Sequence, residues 1–134
     1  MTFHIESMKF LASILGQSTF DKREFNKFIK TKGIKGFLEH QKSINNSISI
    51  KSMEEELRKV VLDKSYKDKY EFHSIKENII QLYKDIEYIE ENEKQIIDQA
   101  LKEVYKIVPK DMTVRFNIYL YSGGIDGGFT INRK

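Results

Sequence analysis

Hydrophobic residues recur at spacings of three and four through the first 109 residues of the chain, a pattern typical of amphipathic helices. The most regular stripe consists of Ile75, Ile79, Leu82, Ile86 and Ile89. Shorter stripes occur in residues 6–15, 20–29, 34–38 and 53–62. The pattern predicts five or six helices, each with one side facing a shared core.

Polar residues predict where several of these helices begin. Three pairs have the spacing of a capping box, in which the first side chain accepts a backbone N–H and the second reaches back: Asp21 with Glu24, Ser52 with Glu55, and Ser74 with Glu77. We therefore place helix starts at residues 21, 52 and 74. Gly16, Gly33 and Pro109 are expected to lie at helix ends, and residues 64–70 to form a charged connection.

The boundary between the last two predicted helices has two interpretations. Asn92 with Gln95 can begin a helix whose buried face consists of Ile96, Ile97, Ala100, Leu101, Val104, Ile107 and Val108. The polar residues 90–93 then form either a tight turn or a solvated bridge inside one long helix. Of the two, we favour the turn.

The periodicity changes from helical to alternating in residues 114–121, which predicts a strand. One side of this strand carries Val114, Phe116, Ile118 and Leu120, and the other carries Arg115, Asn117, Tyr119 and Tyr121. A glycine-rich stretch, residues 122–128, predicts a hairpin turn, and residues 129–131 can begin a return strand. The predicted fold class is α+β, mainly α: a single domain, residues 1–134, with helices in 1–109 and an incomplete sheet or hairpin in 113–134.

The semi-polar side of the predicted strand is a candidate contact surface for a peptide or a partner. It comprises Arg115, Asn117, Tyr119 and Tyr121, together with Gly123 and Gly124 in the turn. Arginine and aromatic side chains are enriched at interfaces, and an uncovered strand edge can recruit another strand, including one from a second copy of the chain. The alternative is that a helix covers this face.

An isolated hairpin is marginally stable in water. We therefore expect the sheet to be completed from outside these 134 residues.

The charge balance gives little reason to expect nucleic acid as a partner. The chain has 23 basic and 20 acidic residues, a formal net charge of +3, and the two signs are interspersed. The most basic run, in residues 22–35, could contact phosphates, but phenylalanines interleave with it at core-facing spacing. A nucleic-acid-binding domain is the weaker alternative.

No segment has the roughly 20 apolar residues of a membrane helix or the features of a signal peptide. We therefore expect a cytoplasmic protein that does not enter a membrane. Cysteine is absent, which excludes disulfides and thiolate ligands.

The sequence contains no recognisable catalytic or metal-binding motif. Its three histidines, His4, His40 and His73, form no His-Glu-x-x-His run. The glycine-rich turn lacks the Lys-Ser/Thr of a phosphate-binding loop and the alternating carboxylates of a calcium loop. We therefore predict no catalytic, cofactor-binding or metal-binding residue within the chain.

Three segments resemble the N-terminal region of predicted zinc-dependent, gluzincin-like metallopeptidases of unknown function. Residues 5–15 resemble their first helix. Residues 25–40 resemble a second segment of these proteins, and the resemblance is carried by Gly33, Gly36, Phe37 and Leu38. Lys32 stands where that segment has proline. Residues 114–120, followed by Gly123, Gly124 and Asp126, resemble the strand that precedes the active-site helix.

The resemblance implies that an extended peptide substrate lies along the edge of this strand. It also implies that a His-Glu-x-x-His helix and a downstream glutamate follow the strand, and this sequence ends before that helix. No zinc ligand or general base can be assigned to a residue of the chain, so the chain alone is expected to be inactive. Zinc is expected only with the C-terminal catalytic part, which is the first candidate partner. The alternative is a stand-alone interaction module that self-associates through its C-terminal strand.

Overall fold

Helices dominate the residues that the structure describes, which are 3–44, 48–112 and 117–122 of a computed structural model. In chain order the elements are β1 (Phe3–His4), α1 (Glu6–Leu15), α2 (Lys22–Lys30), α3 (Lys32–Ser43), α4 (Ile50–Leu62), α5 (Phe72–Glu77), α6 (Ile79–Val104) and β2 (Ile118–Tyr119). The predicted class, α+β and mainly α, is confirmed. The assignment of all 134 residues to one domain stays a prediction.

The start of α2 follows the predicted capping signal. The Asp21 carboxylate accepts hydrogen bonds from the backbone N–H groups of Arg23, at 2.9 Å, and Glu24, at 3.2 Å. Just before the helix, the Phe20 ring lies 5.7 Å from the Phe25 ring, as in a hydrophobic staple. The end of α2 differs from the prediction: the helix ends at Lys30, and Thr31 is already the N-cap of α3.

Two helix starts differ from the predicted capping boxes. Helix α4 begins at Ile50, and Ser49 is its N-cap, with its hydroxyl accepting from Ser52 N at 3.0 Å. The predicted cap, Ser52, therefore lies in the first turn, since either serine can supply the oxygen and only the backbone geometry selects one. Helix α5 begins at Phe72, two residues before the predicted cap, Ser74.

The predicted turn at residues 90–93 is wrong, because α6 is one continuous helix of 26 residues. Asn92, which was expected to cap a new helix, donates instead from its side-chain amide to the Tyr88 carbonyl at 2.9 Å. At 1.5 Å per residue the helix is about 39 Å long. The break lies earlier than expected, at Asn78 between α5 and α6.

The predicted buried face of the last helix is only partly buried. Of that face, Ile97 is buried, and Ile107 has 85% of its surface exposed. Residues 96, 100, 101, 104 and 108 are half-buried. The apolar stripe of α6 thus extends beyond the elements that pack against its first half.

The two strands lie next to each other and run parallel, with Phe3 opposite Ile118 and His4 opposite Tyr119. The Leu120 N–H donates to the His4 carbonyl at 2.9 Å. The partner of β2 among the described residues is therefore β1, a two-residue strand that no sequence pattern predicts. Part of the predicted strand, residues 113–116, and the predicted hairpin and return strand in 123–134 lie outside the described residues.

Two hydrophobic clusters meet along α1. The larger cluster consists of Leu11, Ile14, Leu15, Phe25, Phe28, Ile34, Phe37, Met53, Leu57, Val60, Val61, Tyr70 and Phe72. The smaller one consists of Ile5, Met8, Ala12, Leu82 and Ile86. Ile75 and Ile79 pack against both clusters. Helix α1 is consequently buried on two sides, with α2, α3 and α4 on one and α6 on the other.

Gly33 in α3 lies close to Ser7 of α1 and to Leu120, just after β2. A Cβ atom at this position would lie 3.2 Å from the Ser7 hydroxyl and 3.4 Å from the Leu120 carbonyl oxygen. We expect Gly33→Ala to lower the free energy of unfolding by about 1 kcal/mol, because overpacking costs about 1–3 kcal/mol and the better helix propensity of alanine returns up to about 1 kcal/mol. Urea denaturation followed by circular dichroism measures this change.

Lys35→Ala is the matched control. Lys35 lies in α3 two residues after Gly33 and is exposed, and its change to alanine adds no atom near α1. We expect this variant to be as stable as the parent. Equal losses in the two variants would contradict the assignment of Gly33 as a packing contact.

Candidate functional site

The structure describes three of the six residues predicted to form a contact surface. Asn117 is exposed, and Tyr119 and Tyr121 are half-buried. Arg115, Gly123 and Gly124 lie outside the described residues. The contact role of all six stays a prediction.

The two described tyrosines of this surface have different surroundings. The Tyr119 ring stacks on the His4 ring at 4.5 Å with an interplanar angle of 20°, and Lys32 Nζ lies 6.0 Å from the Tyr119 ring centre. The Tyr121 ring lies 5.0 Å from the Phe37 ring and packs against the larger cluster. Tyr119 therefore extends the surface of the sheet, whereas Tyr121 fastens the chain after β2 to the helical core.

Hydrogen bonds from the helices hold both strands in place. The buried Ser7 hydroxyl donates to the Leu120 carbonyl at 2.6 Å, and Glu93 of α6 accepts from the Phe3 N–H at 2.8 Å. Since backbone groups alternate between the two sides of a strand, and Leu120 N–H points to β1, the N–H and C=O of Tyr119 point away from β1. Within the described ranges the sheet has two strands, and no described strand pairs with this side of β2.

A second polar centre, which sequence reasoning missed, surrounds the carboxylate of Asp68. This side chain is fully buried, and it accepts backbone N–H groups from Tyr70 at 3.0 Å, Phe72 at 3.1 Å and His73 at 2.8 Å. The carboxylate thus serves the first N–H groups of α5, whose preceding residue, Glu71, has a left-handed backbone with φ of 64°. The only sequence signal was an aspartate shortly before a predicted helix start, and the nearby Ser74 was the more usual capping residue.

The same carboxylate orients the imidazole of His73. Nδ1 of His73 lies 2.7 Å from Asp68 Oδ1 and 3.1 Å from the Asp68 backbone nitrogen. One ring nitrogen cannot serve both groups, since it must donate to the first and accept from the second. The shorter contact decides the assignment, because two lone pairs at 2.7 Å would repel: Nδ1 carries a proton, and Nε2 is an acceptor when the ring is neutral. Nε2 lies 3.6 Å from the Glu71 carboxylate.

His73 lines a cavity of about 190 Å³ between the end of α4 and helix α5. We call it the α4–α5 cavity; its lining residues are Val60, Asp63, Lys64, Tyr66, His73, Lys76 and Glu77. Lys76 crosses between the two helices, donating to the carbonyls of Val60 at 2.8 Å and Val61 at 3.0 Å. A lysine at the carboxyl end of a helix satisfies carbonyls that lack a partner within the helix.

The pKa values of several ionisable groups around this cavity are shifted. Burial, and then repulsion from Lys64, lower the pKa of Lys76. Hydrogen bonds from the side chain and the backbone of Ser65 lower the pKa of Asp63. The hydrogen bond from Tyr66 to Glu56, 2.6 Å long, raises the pKa of the Tyr66 phenol to about 12. The cavity therefore holds charges of both signs together with a neutral phenol.

The described residues do not form a three-ligand metal site. No group of three His, Asp or Glu side chains within residues 3–44, 48–112 and 117–122 is arranged to hold a metal ion. The three histidines lie on β1, α3 and α5, and Nδ1 of His73 is already occupied by Asp68. Zinc therefore has no fitting set of donors in this part of the chain.

None of the described helices is both long enough and apolar enough to cross a membrane.

Comparison with known proteins identifies the class to which the chain belongs. The model of a protein family described as "Putative zinc dependent peptidase (DUF5700)" matches residues 25–134, which is more than half of the chain. The chain belongs to this family, and the predicted resemblance to zinc-dependent peptidases is confirmed. No curated protein and no solved structure matches the chain.

The buried Asp68 carboxylate is expected to dominate the stability of this region. Asp68→Ala leaves three backbone N–H groups and His73 without their acceptor, and we expect the free energy of unfolding to fall by about 3–5 kcal/mol. Asp68→Asn keeps one carbonyl oxygen as an acceptor and should lose less. Thermal and urea denaturation measure both changes. The exposed Asp98→Ala in α6 is the control and should change stability by less than about 0.5 kcal/mol; a comparable loss there would contradict the role assigned to Asp68.

The Tyr66–Glu56 hydrogen bond predicts a distinct ionisation at high pH. In the parent protein Tyr66 should ionise near pH 12, and in Glu56→Gln its pKa should move back toward the ordinary value of 10.0. Because the folded pKa is raised, the stabilising effect of this bond is fully present below pH 10 and is lost as the pH rises through about 12. The ultraviolet absorbance of phenolate, compared with that of Tyr66→Phe, isolates this tyrosine. A parent titration without a late-ionising phenol would show that the bond does not form.

Proposed function

We propose that this chain is the non-catalytic N-terminal portion of a zinc-dependent, gluzincin-like metallopeptidase, and that β2 supports an extended peptide. Membership in the zinc-dependent peptidase family, through a match that includes β2, is the observation that carries the proposal. In this proposal, hydrolysis belongs to the intact protein, and zinc is held by a catalytic part that lies beyond the chain and is the partner of the helical portion.

The support for a peptide-binding role of β2 comes from how firmly the strand is held. Ser7 and the His4 carbonyl fix one side of the strand at Leu120, while the backbone groups of Tyr119 point to the other side. A strand that is already ordered loses little conformational freedom when a peptide pairs with it, which favours β-augmentation. Asn117 and the Tyr119–His4 stack would then contact alternate side chains of the peptide.

Zinc and peptidase assays on the 134-residue chain test the first half of the proposal. We expect the purified chain to release no product from a fluorogenic peptide library and to retain no stoichiometric zinc after dialysis. Peptide hydrolysis by the chain alone that a chelator abolishes, and that zinc restores, would overturn the assignment of a non-catalytic role.

Site-specific photo-crosslinking tests the second half. A benzophenone amino acid at Asn117, which is exposed beside β2, should capture a short biotinylated peptide library, whereas the same group at Ile80, 66% exposed on α6, should not. Equal capture at both positions would contradict a peptide site at β2. Self-capture at position 117, with a dimer in sedimentation that Ile118→Pro weakens, would favour the self-associating module instead.

A further inference from the structure

We propose that the α4–α5 cavity binds a free α-amino acid in its zwitterionic form. The cavity contains no residue of β2, and the inference does not depend on the proposed peptidase role. It rests on three observations: the size of the cavity, the balance of charge along its wall, and the orientation of His73.

The size of the cavity favours a small ligand. Pockets for drug-sized ligands measure about 300–1,000 Å³, and this cavity has about 190 Å³. A molecule with a few heavy atoms fits this space, whereas a peptide of several residues does not. Val60 supplies an apolar portion of the wall, against which a short aliphatic side chain can pack.

The charges along the wall are balanced. Lys64 and Lys76 supply two cations, and Asp63 and Glu77 supply two carboxylates. A ligand with a single charge gains one attraction and meets one repulsion, whereas a ligand that carries both an ammonium and a carboxylate can place each beside its opposite. An α-amino acid is the smallest common molecule with both groups at a fixed separation.

The two lysines form the carboxylate side of the proposed site. Lys76 uses two of its three N–H donors on the carbonyls of Val60 and Val61. Lys64 is close enough for its charge to lower the pKa of Lys76. A carboxylate placed between the two ammonium groups would relieve their repulsion and accept the remaining donor of Lys76.

The other side of the proposed site offers acceptors to an ammonium group. When the His73 ring is neutral, its contact with Asp68 keeps the proton on Nδ1 and leaves Nε2 as an acceptor. Glu77 follows His73 by four residues on α5, so both side chains lie on the side of α5 that faces the cavity. Asp63 does not belong to one side alone: it is close enough to Lys76 for the two charges to interact, and it keeps one carboxylate oxygen in addition to the oxygen that Ser65 engages.

Binding to the 134-residue chain is measured by nuclear magnetic resonance, with the ring signals of His73 and the backbone signals of residues 63–77 as reporters. L-Alanine is the probe, and we expect a saturable shift of these signals. Acetate and methylamine each carry one of the two charges and should bind at least tenfold more weakly. Glycylglycine, which has the same end groups at a greater separation, should also bind more weakly.

Variants identify the groups that hold the ligand. Lys64→Gln and Glu77→Gln should each weaken L-alanine binding by about tenfold or more, as expected for the loss of one charge-assisted hydrogen bond. The control is Lys67→Gln, which makes the same change of charge at an exposed lysine outside the cavity wall. It should bind like the parent.

Three results would overturn the proposal. The first is the absence of a saturable shift with L-alanine in the folded parent protein. The second is acetate or glycylglycine binding as tightly as L-alanine, which would indicate an anion site or a peptide site instead. The third is equal weakening by Lys67→Gln and Lys64→Gln, which would reduce the effect to net charge.

Discussion

The burial of α1 on two sides is the constraint on which the rest of the structure depends. Leu11 and Ile14 are fully buried in the larger cluster, while Met8 and Ala12 belong to the smaller one. A helix of ten residues is too short to be stable by itself, so its neighbours must form around it. Because α2, α3, α4 and α6 all contact α1, each helix is placed relative to the others through this one element. The short side chain of Ser7 completes the arrangement by linking α1 to the chain just after β2.

The sequence predicts best where a local rule and tertiary packing agree. The start of α2 is of this kind, since apolar spacing and the Asp21 side-chain acceptor mark the same residues. The bounds of α1 follow from apolar spacing alone, because no side chain caps its start. The prediction from sequence fails at residues 90–93. Asn92 has the residue type and spacing of a helix cap, but it lies inside the continuous helix α6. A local capping signal does not end a helix unless the residues after it are stabilised by packing in a different direction.

The candidate sites were less predictable than the helices. The alternation around Ile118 revealed β2, but β1 has only two residues and is defined by a partner more than a hundred positions away. Asp68 and His73 are separated by an irregular segment. The backbone of Glu71 in this segment is left-handed, and a glutamate side chain does not predict that conformation. The contact between Asp68 and His73 depends on tertiary structure and cannot be predicted from local sequence. The chemistry of the α4–α5 cavity arises in the same way, because Lys76 enters it only after α4 and α5 have packed together.

The parallel pairing of β1 with β2 also has a consequence for the order of events in folding. Phe3 is synthesised 115 positions before its partner, Ile118. Contacts of such long sequence separation form slowly because the intervening chain must first be ordered. During synthesis, the helices around α1 can therefore assemble while β1 still lacks its neighbour, and the strand of the proposed peptide site is completed after them.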